Sequence, residues 1–217
     1  MIRNQSFSRR KKPRVLAQVA FILIFLTCAG HTATAMGWWP PKPKTELTEV
    51  TAFGSNPGNL KMYIYAPANV PDNQPLVVVL HGCTQNANEY AERTQWNRLA
   101  ERFGFFLIYP EQQVVNNVLS CFNWFFPADT SRDKGESLSI KQMIDRMKTD
   151  QSIDTERVYV TGLSAGGYMA AVMLAVYPEV FAGGAVMAGG PFRCATDAID
   201  AQYRCMKGLT NRTPAQW

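Results

Sequence analysis

The 217 residues carry 22 lysines and arginines against 17 acidic residues and two histidines, with a sequence pI near 9.0. Six of those cations (Arg3, Arg9, Arg10, Lys11, Lys12, Arg14) lie within residues 1–35, which hold no acidic residue, so the chain after residue 35 holds 16 cations against 17 acids. The basic pI therefore belongs to the leader and argues against a nucleic-acid partner, while the length suffices for one domain with a sizeable core.

The leader reads as an export signal over residues 1–35. Its basic segment ends at Arg14, an apolar segment runs from Val15 to about Gly30, and Ala33-Thr34-Ala35 is a small-x-small cleavage site before Met36. The apolar stretch is shorter than a comfortable membrane span and Gln18 interrupts it, so cleaved export to the extracellular space or periplasm is expected, without stable membrane insertion. The alternative is an uncleaved signal anchor. Residues 36–58, beginning Gly37-Trp38-Trp39-Pro40-Pro41, are expected as a proline-rich arm, and 59–217 as the folded domain.

Leu60–Pro67 alternates and ends at proline, as an outer antiparallel strand would. Pro75–Gly82 is a continuous β-branched run that fits a strand buried on both faces. One helix is expected over about 87–103, ending at Gly104, then a second buried strand over 105–110. Residues 111–135 are irregular and aromatic, and a helix is expected over 136–150. Glu156–Gly162 reads as a third buried strand, Ser164–Pro178 as a helix and Phe181–Gly190 as a small-residue strand. Strands alternating with helices point to a mostly parallel sheet covered on both faces.

Export also bears on the cysteines. Cys28 leaves with the leader, and the even remainder (Cys83, Cys121, Cys194, Cys205) suggests two disulfides with three possible connectivities. Pairing Cys194 with Cys205 closes a short local loop and leaves Cys83 with Cys121. Neither CxxC nor HExxH spacing occurs, so neither a metal nor another cofactor is expected.

The chemistry centres on Gly162-Leu163-Ser164-Ala165-Gly166, a G-x-S-x-G pattern between an expected strand and an expected helix. That context turns the chain sharply and exposes a nucleophilic serine, with the helix N-terminus adding free N–H groups and positive dipole. The other reading is an ordinary helix-capping serine. In such a turn one oxyanion donor is the N–H after the nucleophile, here Ala165. The second comes from the loop after the earlier strand, with Cys83 the first choice and Thr84 and Gln85 beside it. His81 reads as a strand-end residue that orders this loop by hydrogen bonding, with a general base as the competing role. Gln85 and Trp124 are candidate substrate contacts, while about half of Phe122, Trp124, Phe125 and Phe126 are expected in the core.

The stretches VVVLHGCTQNANEYA, FLIYPEQ, CFNWF, RVYVTGLSAGGYMAAVMLAVYPEVFAGGAV and GGPFRCA, in this order, resemble the poly(3-hydroxybutyrate) depolymerase family of secreted esterases, over roughly 60–217. The resemblance implies an α/β-hydrolase fold, Ser164 as nucleophile and the Cys83 loop in the oxyanion hole. Its implied substrates are polyesters or oligoesters, or alternatively feruloyl or acetyl esters on polysaccharides. A third possibility is a catalytically inactive, polymer-binding remnant. The family pattern places an acid and a histidine after the serine, yet the 53 residues after Ser164 contain no histidine. Asp197 and Asp200, between Cys194 and Cys205, read as solvated surface charges. The expectation is that the chain is the N-terminal part of a longer esterase, without its C-terminal strands and triad loops.

Overall fold

The computed structural model describes residues 46–213, and the export signal and Trp38-Trp39 lie outside that range. Six strands form one sheet: β1 (Thr48–Val50), β2 (Lys61–Tyr65), β3 (Gln74–Leu80), β4 (Phe106–Glu111), β5 (Ile153–Leu163) and β6 (Gly183–Met187). Their spatial order is β1-β2-β4-β3-β5-β6. The pairings β1–β2 and β2–β4 are antiparallel, and β4–β3, β3–β5 and β5–β6 are parallel. This is the mixed, mostly parallel sheet of an α/β-hydrolase.

Two core layers follow from the two-residue period of the strands. Leu76, Val78 and Leu80 of β3, with Ile108, Val158 and Val160, face one side and pack against α4 (Gly135–Asp150) and α5 (Ala165–Val176). Val77, Val79, Leu107 and Tyr109 face the other side and pack with Ala87, Tyr90, Ala91 and Ala100 of α1 (Ala87–Thr94) and α2 (Trp96–Phe103). The short helices α3 (Pro127–Thr130) and α6 (Ala198–Tyr203) complete the set.

Three local expectations are altered. The single helix over 87–103 is two helices, because Gln95 takes φ 60°, ending α1 and starting α2. The strand over 60–67 is not outermost: β1 pairs along it, with Val50 opposite Met62. Within the span expected as an arm, β1 joins the sheet, Phe53 is buried in the core, and the Gly58 amide donates to Ser139 Oγ at 2.8 Å. At the other side of the described sheet, β6 keeps Val186 and Met187 about two-fifths exposed.

Candidate active site

Ser164 stands between β5 and α5 with φ 55° and ψ −119°, a backbone conformation strained for any residue with a Cβ. Two glycines make the corner possible. A Cβ on Gly162 would run into the backbone of Gly166, and one on Gly166 would run into the carbonyls of Leu80 and His81. The G-x-S-x-G spacing is thus a packing requirement: α5 starts directly against the end of β3, and only hydrogen fits at both positions. The Ser164 amide donates to the Met187 carbonyl at 2.9 Å, and the Ser164 carbonyl accepts from Tyr168 at 2.9 Å. Leu163, at the end of β5, is 36 % exposed, so the corner reaches the surface.

The loop after β3 lies against this corner. A Cβ on Gly82 would sit 3.4 Å from the Leu163 carbonyl and 3.6 Å from Ser164 Cβ. Gln85 Oε1 accepts from the Gly82 amide at 2.9 Å, and the Thr84 amide donates to the Leu119 carbonyl at 2.6 Å. Between those two engaged amides lies that of Cys83. Ala165 opens α5, so its N–H has no acceptor within the helix. Gln85 is thereby a brace across the loop. Disulfides join Cys83 to Cys121 and Cys194 to Cys205, and the first clamps the β3 loop to the segment after β4.

His81 is buried, and both its nitrogens are in use. The Gln112 amide donates to Nε2 at 3.1 Å, which puts the proton on Nδ1, where it meets the Gly82 carbonyl at 2.7 Å. Burial holds the imidazole below its ordinary pKa, the Gly82 contact opposing weakly. This is a loop-ordering histidine. It has no nitrogen available to take the serine's proton.

Beneath it lies a polar network that sequence reading missed. Gln112 Nε2 donates to Glu136 Oε1 at 2.5 Å and to the Cys121 carbonyl at 3.2 Å, and the Asn123 amide donates to Glu136 Oε2 at 2.9 Å. Glu136 is 1 % exposed, and burial first, then the Asp129 charge, push its pKa up to about 8 against the pull of its donors. A glutamate in the first turn of an expected helix gives no hint of this, because its partners come from two distant segments.

The aromatic run divides unevenly. Phe122, Trp124 and Phe125 are buried, and Phe126 is 39 % exposed. Trp124 stacks on Tyr168 of α5 with centroids 3.8 Å apart and planes 12° apart, so it packs beneath the surface and supports α5. A cavity of about 1010 Å³ lies beside Phe126, lined also by Thr196, Ile199, Tyr203 and Arg204. Asp197 and Asp200 border it but serve locally: the Asp197 carboxylate caps α6 by accepting from the Asp200 amide at 2.8 Å, and Asp200 pairs with Arg204 at 3.5 Å.

Residues 60–214 match the family model described as Esterase PHB depolymerase. The chain belongs to this family. Poly(3-hydroxyalkanoate) depolymerase C of Paucimonas lemoignei is 54 % identical over 171 residues, covering 79 % of this chain and 41 % of that protein. Feruloyl esterase B of Talaromyces stipitatus is 36 % identical, covering 79 % of this chain and 49 % of the relative. An acetyl xylan esterase structure from Aspergillus awamori superposes with a TM-score of 0.67 at 35 % identity, over 71 % of this chain and 56 % of that one. The chain thus spans about half the length of the relatives it matches. Among the described residues, Ser164 stands at the glycine-flanked corner between β5 and α5, and His81 has both nitrogens engaged elsewhere.

Proposed function

We propose that this chain carries the nucleophile half of a secreted carboxylic ester hydrolase acting on aliphatic polyester or its oligomers. The carrying observation is Ser164, held at φ 55° on a glycine-locked corner beside the β3 loop. Its Oγ attacks the ester carbonyl carbon. The carbonyl oxygen gains negative charge and turns toward the Ala165 and Cys83 amides, the proposed oxyanion hole. Collapse of the tetrahedral intermediate expels the alcohol and leaves an acyl-serine, which water then hydrolyses. Neither step calls for a cofactor.

Among the described residues no histidine can take the Ser164 proton, because both nitrogens of His81 are engaged within the fold. Without a base, residual catalysis rests on the oxyanion hole and substrate binding. Secretion is supported by the export-signal pattern and by the two disulfides. No helix among the described residues is long and apolar enough to cross a membrane.

An activated organophosphonate ester tests the nucleophile. A single adduct on the Ser164 peptide is expected, formed slowly because no described histidine takes the serine's proton, and absent from Ser164→Ala. A wild-type chain with no adduct on that peptide overturns the assignment. A second reading, a feruloyl or acetyl esterase on polysaccharide, is favoured by relatives 35–36 % identical. Ferulate or acetate release in place of soluble hydroxyacid release from polyester would select it.

A further inference from the structure

Between β4 and Cys121 the chain presents an inverted surface. Val114, Val115, Val118 and Leu119 are 68, 76, 86 and 56 % exposed, whereas the amide side chains among them turn inward. Asn116 Nδ2 donates to the carbonyls of Gly58 (3.1 Å) and Asn59 (3.0 Å) and to Gln112 Oε1 (2.7 Å), and Asn116 Oδ1 accepts from Asn59 Nδ2 at 3.0 Å. Asn117 Oδ1 accepts from the Leu119 amide at 3.0 Å, and Asn117 Nδ2 donates to Asn123 Oδ1 at 3.1 Å. Surface loops ordinarily put polar groups outward. Here the polar groups are spent on fixing the backbone, and four aliphatic side chains are held out in water, a cost that a contact surface would recover.

We propose that the Val114–Leu119 loop is the surface by which the protein docks on solid aliphatic polyester, next to Ser164. Three observations choose this occupant. No residue from Gln112 to Cys121 carries a charge, so the loop matches an uncharged polymer face and has no means of pairing with an ionic partner. That stretch also contains no aromatic ring, the side chain that stacks on sugar faces, which disfavours a polysaccharide. The loop is also continuous with the site: the Leu119 carbonyl accepts from the Thr84 amide at 2.6 Å, and Cys121 is bonded to Cys83. A polymer strand resting on the valines would therefore lie against the same loop that borders the nucleophile. Because the loop is braced in advance, docking orders little and keeps most of the apolar gain.

The inference rests on the ester-hydrolase reading for its substrate, but its test does not need catalysis. The full chain is partitioned between buffer and amorphous poly(3-hydroxybutyrate) particles, with xylan particles as the second surface. The variant Val114→Thr/Val115→Thr/Val118→Thr keeps side-chain shape at three exposed positions and exchanges one methyl of each for a hydroxyl. We expect polyester adsorption to fall at least tenfold, with Ser164 phosphonate labelling in solution changed less than twofold. Adsorption that is unchanged in the variant, or absent from the wild type, overturns the proposal. So does loop-dependent binding to xylan, or a wild-type dimer in sedimentation that the variant converts to monomer, which would make the loop a self-interface. Failure of Ser164 labelling alone would strike the nucleophile assignment and leave the docking result standing.

Discussion

The amide of Gln112 donates to Nε2 of His81 at 3.1 Å, joining the end of β4 to the end of β3 through an imidazole. Because the other nitrogen meets the Gly82 carbonyl, this one side chain sets the spacing between the β3 loop and the segment that carries Cys121. Removing it leaves a buried amide and a buried carbonyl without partners. His81→Ala is expected to cost about 2–4 kcal/mol in urea unfolding. His81→Asn, which offers one donor and one acceptor, should recover part of that loss. A purely apolar role would instead favour His81→Leu.

The same histidine gives an acid limit. Burial lowers its folded pKa below the unfolded value near 6.5, so its contribution is present above that pH and is lost as pH falls through the folded pKa. Wild type should lose stability below about pH 6 more steeply than His81→Asn, measured by urea midpoints across pH.

Glu136 acts in the opposite sense. Its folded pKa, raised to about 8, exceeds its unfolded value of about 4.5, so the native state holds a proton that the unfolded chain has released. Stability should therefore fall as pH rises from 5 to 8 and level off above, by roughly 3–5 kcal/mol if the shift acts in full. Glu136→Gln is expected to be flatter across that window. A wild-type stability that climbs between pH 5 and 8 after His81 is allowed for would refute the burial argument.

Ala at Gly162 or Gly166 places a methyl group into backbone that cannot retreat, since β3, β5 and α5 all bear on these contacts. Each substitution should cost more than about 2 kcal/mol and suppress Ser164 labelling. Gly208→Ala, whose Cβ would meet nothing within 4 Å, serves as the surface control and should cost less, its strain coming only from φ 68°.

The two disulfides differ in reach. Cys83–Cys121 spans 38 positions and Cys194–Cys205 spans 11, so loop entropy assigns them roughly 4 and 3 kcal/mol. The Cys83→Ser/Cys121→Ser chain should be the less stable of the two double variants by thermal unfolding. It should also lose amide-exchange protection around Thr84, where the Leu119 contact would loosen.

The sequence by itself determined the alternation of the five longer strands with their helices, the serine corner, and that four cysteines form two disulfides, while the structure chose their pairing. The sequence readings rest on local rules: β-branched runs, glycine spacing around one serine, and cysteine parity. It also placed His81 as an ordering residue at the end of a strand. Tertiary structure decided what depends on segments far apart in the chain. Gln95's positive φ split a helix that periodicity left whole, and β1 found its partner in β2 beyond a ten-residue connection. Trp124 became a stacking support because Tyr168 lies over it. Glu136 became a buried acid because Gln112 and Asn123 converge on it from just after β4 and from the aromatic segment. A chain pattern reports what a residue prefers within a turn or a strand, and desolvation and hydrogen-bond partnership arise only once the sheet has brought its neighbours to it.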